Sequence, residues 1–413
     1  MSKSLVFARL IVLSTLVGGG AAAGCGGGPG PSGTGGEPSS AGTPVTGGTT
    51  GLGASIGHTG GAAATGGTTA STVLRGVFVP TASMTVARSG HTATLLPNGN
   101  VLIAGGDDGT TSVEGAQGAE LYDPALGTFT PTGRMNSRRI AHTATLLQNG
   151  MVLIAGSENI PGIMPWALVP FGGELYDPVA GTFAATGRMS VQRAGHTATL
   201  LQNGMVLIAG GQNGVPSAGA ELYDPATGTF ADAGSMSAQR AEHTATLLPN
   251  GMVLIVGGVG GETLASAEIY DPAVGTFAAT GSMLVARYGH TATLLDNGMV
   301  LIAGGSSDIA PLASAEIYDP VGGTFAATGS MFVGRASHAA TLLPSWGVLV
   351  VGGDVGASAE LYDPTAGTFA ATASMTAARA GPTATLLSDG VVLIAGGSGA
   401  LGPVASAELY EDP

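Results

Sequence analysis

Charge is scarce in this chain. Only 10% of its 413 residues are Asp, Glu, Lys or Arg, and they balance at −14. Lysine occurs once, at Lys3, and cysteine once, at Cys25. So acidic a surface excludes nucleic acid and anionic membrane as charge-driven partners. Aromatic side chains are also few, at 5% of the chain. Long apolar runs are missing too: the stretch from Leu10 to Val17 is too short to cross a bilayer as a helix.

What the chain has in abundance is glycine, 72 residues, and repetition. The text from Met84 to Phe129 returns six more times, and each copy reads as four short strands. His-Thr-Ala-Thr-Leu-Leu alternates, as a strand does when its two faces differ. Asn98-Gly99 supplies the positive φ of a tight hairpin. Val-Leu-Ile-Ala is a continuous apolar run suited to a strand buried on both faces. Gly105-Gly106 ends it, Ala-Glu-Leu-Tyr forms the third strand, Asp123-Pro124 turns the chain, and Gly127-Thr128-Phe129 starts the fourth.

One such unit cannot bury its own apolar faces, so copies must stack. The repeated histidines, His91, His142, His196, His243, His290 and His338, recur every 47 to 54 residues, and Pro382 stands in the seventh place. Seven four-stranded copies predict an all-β, seven-bladed propeller of antiparallel blades, folded as one domain over residues 74–413. Arg75 to Met84 matches fourth-strand text, whereas the last copy stops at Pro413 before any fourth strand. The N-terminal segment is therefore expected to complete the last blade and close the ring, hiding two strand edges.

These features resemble the kelch repeat, over residues 75 to 413. The double glycines that close the second strand are Gly105-Gly106, Gly210-Gly211, Gly257-Gly258, Gly304-Gly305, Gly352-Gly353 and Gly396-Gly397, with Gly156-Ser157 departing in the second copy. Third-strand tyrosines run from Tyr122 to Tyr410, and fourth-strand phenylalanines from Phe129 to Phe369 stand where many kelch repeats carry Trp. The resemblance implies a galactose-oxidase-like propeller fold, and it implies no single activity, because fold does not fix function. Galactose-oxidase-like enzymes use a copper radical site with a Tyr–Cys crosslink. A chain with no cysteine after Cys25 cannot form that crosslink.

Residues 1–25 read as a targeting segment, with Lys3 and Arg9 ahead of an apolar core. Ala22-Ala23-Gly24-Cys25 resembles a bacterial lipoprotein signal, in which cleavage leaves Cys25 to be lipidated; Ala22 replaces the usual leucine. The expected location is the outer membrane, on its periplasmic or cell-surface face, with membrane contact only through the anchor at Cys25. Residues 26–73 are Gly, Ser, Thr, Pro and Ala, a composition that cannot offset its ordering entropy and predicts a flexible tether. Its coil span is about 35–40 Å.

Polar residues that recur in register are expected to serve the fold. The arginines Arg88, Arg139, Arg193, Arg240, Arg287, Arg335 and Arg379 are matched one for one by glutamates Glu120, Glu174, Glu221, Glu268, Glu316, Glu360 and Glu408. Pairing is the expected outcome. The alternative is a cationic ring at the channel mouth, with Arg139 and Arg193 among the ligand contacts. The histidines are too far apart around a seven-fold ring to share one ion, so neither metal nor other cofactor is expected.

Function is then sought where the copies differ. The longest loop between second and third strands, Glu158 to Gly173, carries Ile160, Met164, Trp166, Leu168 and Phe171. Ile160, Met164, Trp166 and Phe171 are candidate partner contacts, because exposed apolar side chains and Trp mark binding surfaces; the loop could instead plug the channel. A polar loop from Asp107 to Gly118, with Asp107, Asp108 and Glu114, lacks EF-hand spacing, so calcium there is only a minor alternative to the expectation of no metal. These features predict a monomeric envelope-tethered module that binds or scaffolds a protein or glycan, without catalytic residues. The competing reading is a carbohydrate-active enzyme, such as a kelch-type N-acetylneuraminate epimerase.

Overall fold

The computed structural model describes residues 75–110, 117–157, 172–344 and 346–412. Among them every regular element is a strand, and seven four-stranded antiparallel sheets form a ring: a seven-bladed β-propeller. Blade 1 shows the pattern, with strands Thr92–Leu95, Val101–Ala104, Gly118–Asp123 and Thr128–Arg134 running from the axis outward. Blades 2 to 6 span Thr143–Arg188, Thr197–Ser235, Thr244–Ala279, Thr291–Ala327 and Ala339–Ala371. The inner strands touch in a closed circle, from the first blade through the seventh and back.

Closure falls on the expected segment. Val77–Pro80 pairs antiparallel with Ala407–Glu411, so the start of the folded chain supplies the outer strand of blade 7. Phe78 packs on Tyr410 with ring centroids 5.0 Å apart, in the place that Phe129 takes beside Tyr122 at 4.8 Å. The Arg75 guanidinium lies 3.5 Å over the Trp346 ring of blade 6. Trp346 stands where the other six hairpins have glycine, so this contact with Arg75 is particular to the closure.

Strand alternation builds the core between blades. Val101 and Ile103 of blade 1 face blade 7, whereas Leu102 and Ala104 face blade 2. Each second strand is buried on both sides because each blade is sandwiched. Ring tyrosines tie one blade to the next: Tyr122, Tyr176, Tyr223, Tyr318, Tyr362 and Tyr410 bond a threonine of the preceding outer strand at 2.8–3.1 Å. In blades 1, 2, 3, 5 and 6 that threonine donates to a glycine carbonyl, so the tyrosine hydroxyl donates to the threonine.

Tyr270 breaks the rule. Ala233 stands in the threonine position, and the buried Tyr270 hydroxyl has no partner among the described residues. A buried donor left unmade is costly, and a neutral bond returned to it is worth about 1 kcal/mol. Ala233→Thr should therefore stabilise the protein by about that amount in urea unfolding. A neutral or destabilising result would show that the local strand backbone, where the Gly234 N–H donates to the Asp232 carboxylate and Gly234 has φ 81°, prevents the repair.

Candidate functional site

The links between blades carry Met-x-x-x-Arg-x-x-His, and the structure shows where each polar group goes. Every repeated arginine pairs with the glutamate on the third strand of the blade it enters, at 2.7–3.1 Å. A second donor of each arginine bonds the carbonyl of the first glycine of the doublet, at 2.7–3.1 Å. The glutamate's other oxygen accepts the N–H of the residue after the link methionine, at 2.6–2.8 Å. One ion pair thus pins the link to the ends of two strands.

This corrects the placing of Arg139 and Arg193 among ligand contacts. Arg139 donates to Glu174, Gly156 and Gly172 and is buried. Arg193 likewise donates to Glu221, Gly210 and Gly219. Neither offers charge to the channel mouth, because a guanidinium out of water must spend its donors on fixed acceptors.

The histidines bridge blades. His142, His196, His243, His290 and His338 each bond, through Nε2, the first threonine of the preceding inner strand at 2.8–3.1 Å, and His91 bonds Thr383 at 3.3 Å across the closure. Burial, reinforced by the neighbouring arginine, lowers the pKa of His91, His142, His196, His243 and His338 to about 3, and that of His290 well below its usual value. The seventh pair is lost as a pair: Pro382 replaces the histidine of blade 7, and Ala339 replaces the threonine of blade 6 that it would have met. The joint loss marks the bond as the reason for both residues.

The face that carries these links also carries the loops between second and third strands, since Ser89 pairs with Asp107, Ala194 with Gln212, and Tyr288 with Ser306. At its centre, the residue before each histidine position has left-handed backbone: Gly90, Ala141, Gly195, Glu242, Gly289, Ser337 and Gly381. Six N–H to O=C bonds of 2.8–3.4 Å join them in sequence around the axis, from Gly90 to Gly381. Four are glycine, as φ near +60° favours. Ala141, Glu242 and Ser337 hold the same backbone against their Cβ atoms, and they are the only non-glycine residues described with positive φ.

Among the described residues, two sectors of this mouth depart from symmetry in ways that bear on binding. In one, Arg138 pairs with Asp107 at 2.5 Å and lies 3.7 Å from Asp108, so the carboxylates read as a calcium site are met by an arginine. Glu114 lies outside the described residues, as do Ile160, Met164, Trp166, Leu168 and Phe171. In the other sector stand Glu242 and Tyr288, which the sequence reading passed over; the signal was there in Arg-Ala-Glu-His and Arg-Tyr-Gly-His beside copies with Ala, Ser or Gly. On the opposite face two clefts open between hairpin turns. One, of about 490 Å³, lies between blades 6 and 7 and is edged by Ser388, Asp389, Glu411 and Asp412. The other lies between blades 1 and 2.

No protein-family model and no curated protein matches the chain. Solved structures do, among them a fungal alcohol oxidase of the AA5 family in complex with copper. That likeness has a TM-score of 0.67 at 17% identity, over 82% of this chain and 76% of the oxidase, and it shows the fold. The residues here do not fit copper: among those described, no three His, Cys, Asp or Glu side chains gather as a metal requires, and each histidine already meets a threonine.

Proposed function

We propose that this propeller is a binding or scaffold module for a protein or glycan, exported and held at the outer membrane by a lipid on Cys25. The observation that carries the reading is the fate of the recurring charges. All seven arginines and their glutamates are buried against one another, so the repeated polar groups hold the ring and leave no acid–base machinery in register. Variation is left to the mouth face. The strands flanking residues 158–171 end on that face, where the Ser157 N–H bonds the Arg193 carbonyl of the next link.

A stiff wheel presenting variable loops on one face suits recognition. The apolar loop with Met164, Trp166 and Phe171 supplies the anchors of such a surface. Replacing residues 158–171 by a short Gly-Ser link should abolish capture of envelope protein or glycan in a pull-down and glycan array, with thermal stability kept. Undiminished capture by that variant removes the loop from the binding surface.

A further inference from the structure

The reading as a binding module says nothing of what the axial mouth itself accepts, and one residue there is out of keeping with the wheel. Glu242 occupies a ring position filled elsewhere by Gly, Ala or Ser, at φ 54°. The backbone of the ring is the same with glycine, so the ring has no need of the carboxylate. The side chain lies over glycines on both sides: its Cγ is 3.5 Å from where a Cβ on Gly195 would sit, and Oε2 is 3.9 Å from that of Gly289. Every glutamate of the repeat is bonded to an arginine, whereas the Glu242 carboxylate forms no hydrogen bond or ion pair among the described residues.

Burial pushes the Glu242 carboxyl above its ordinary value, with no partner to oppose it. Beside it, Tyr288 stands in a position held by Ala, Ser or Ile in the other links; burial raises its hydroxyl pKa, a bond to Ser306 opposes that rise, and the charges of Glu242 and Asp308 add to it. The loop that pairs with Tyr288 brings Asp308, which accepts a bond from the Thr263 hydroxyl. Three departures from the repeat, an unpaired half-buried carboxylate, an aromatic ring and a second carboxylate, therefore meet in one sector of the mouth.

Resting on the binding-module reading, we propose that Glu242 and Tyr288 form the axial subsite for an ammonium-bearing sugar. Its amine pairs with the Glu242 carboxylate, and its C–H face lies on the Tyr288 ring. A desolvated carboxylate with no cation gains most from a ligand that brings one, and an aromatic face beside it favours the same charge.

Titration calorimetry on the full chain, with a β-1,4-linked glucosamine tetramer, its fully N-acetylated counterpart and tetra-lysine, tests this. The glucosamine tetramer should bind, at least tenfold more tightly than the other two. Glu242→Gln and Glu242→Gly should each weaken it at least tenfold, and Tyr288→Ala should weaken it as well. Glu242→Gly should also raise the thermal midpoint, which separates lost binding from lost fold. Absent binding, equal binding of tetra-lysine, or binding unchanged in Glu242→Gln overturns the subsite. Partner capture that depends on residues 158–171 while the tetramer fails to bind sinks this inference alone and leaves the module standing.

Discussion

Lowering the pH from 7 to 5 should unfold the propeller. The cause is the six buried histidines, which stay neutral in the folded ring down to about pH 3 for His91, His142, His196, His243 and His338, with His290 also far below its usual value. In the unfolded chain a histidine takes its proton near pH 6.5. Between those values the unfolded state binds more protons, so stability is complete above about pH 6.5 and falls as the pH drops toward 3. Each histidine contributes a limiting slope of about 1.4 kcal/mol per pH unit, and six together about 8 kcal/mol. That is comparable with the whole stability of an ordinary domain.

Circular dichroism against pH, at constant ionic strength, reads the transition directly. A ring that keeps its thermal midpoint at pH 4.5 refutes the argument. The chain also supplies its own control, because blades 6 and 7 have already dispensed with one pair. Copying Ala339 and Pro382 into blades 4 and 5, as Thr244→Ala with His290→Pro, keeps a left-handed glycine before the proline: Gly289 has φ 59° and Gly381 φ 60°. That variant should lower the acid slope by about 1.4 kcal/mol per pH unit.

Glu316→Ala should cost about 3–5 kcal/mol in urea unfolding, because it leaves the Arg287 guanidinium buried without its counter-charge. Arg287 is fully buried and donates to Glu316 at 2.9 Å, and the same carboxylate accepts the Leu284 N–H at 2.7 Å. Burial lowers the pKa of Arg287, and the Glu316 carboxylate opposes that fall. Taking away both charges is a different matter. Arg287→Met with Glu316→Leu should recover part of the loss, since no ion is then stranded in the core, though the Gly304 and Ser314 carbonyls lose their donor. A cost below 1 kcal/mol for Glu316→Ala would mean that water reaches the site and that the pair does not pin the link.

The repeats of this chain are legible in the sequence to different depths. Local pattern is enough for the strand set: Asn98-Gly99 for the hairpin, Val-Leu-Ile-Ala for the doubly covered strand, and Asp123, whose side chain accepts the amides of Ala125 and Leu126. Arithmetic on the histidine spacing is enough for seven blades, and the stray fourth-strand text at Arg75–Met84 for the closing strand. These inferences need only neighbours in sequence or comparison of one copy with the next.

Partner choice lay beyond that reach. Whether an arginine faced a ligand or a glutamate depended on the side from which a link enters its blade, and two residues some 30 positions apart meet there only after the sheet has formed. The same holds for the histidines, each of which reaches back to the blade before its own. Matching counts favoured pairing, yet Arg139 and Arg193 stayed open as contacts until their donors were seen to be used. The mouth was harder still. Glu242 looks in the sequence like one more acidic residue, and it stands out only when seven links from distant parts of the chain are drawn into a single ring of hydrogen bonds. The sequence alone determined the number of blades, their strands and the manner of closure, because a repeat encodes its own packing. Tertiary structure decided which charges face inward and which carboxylate is left unpaired, because burial belongs to the assembled wheel and to no single blade.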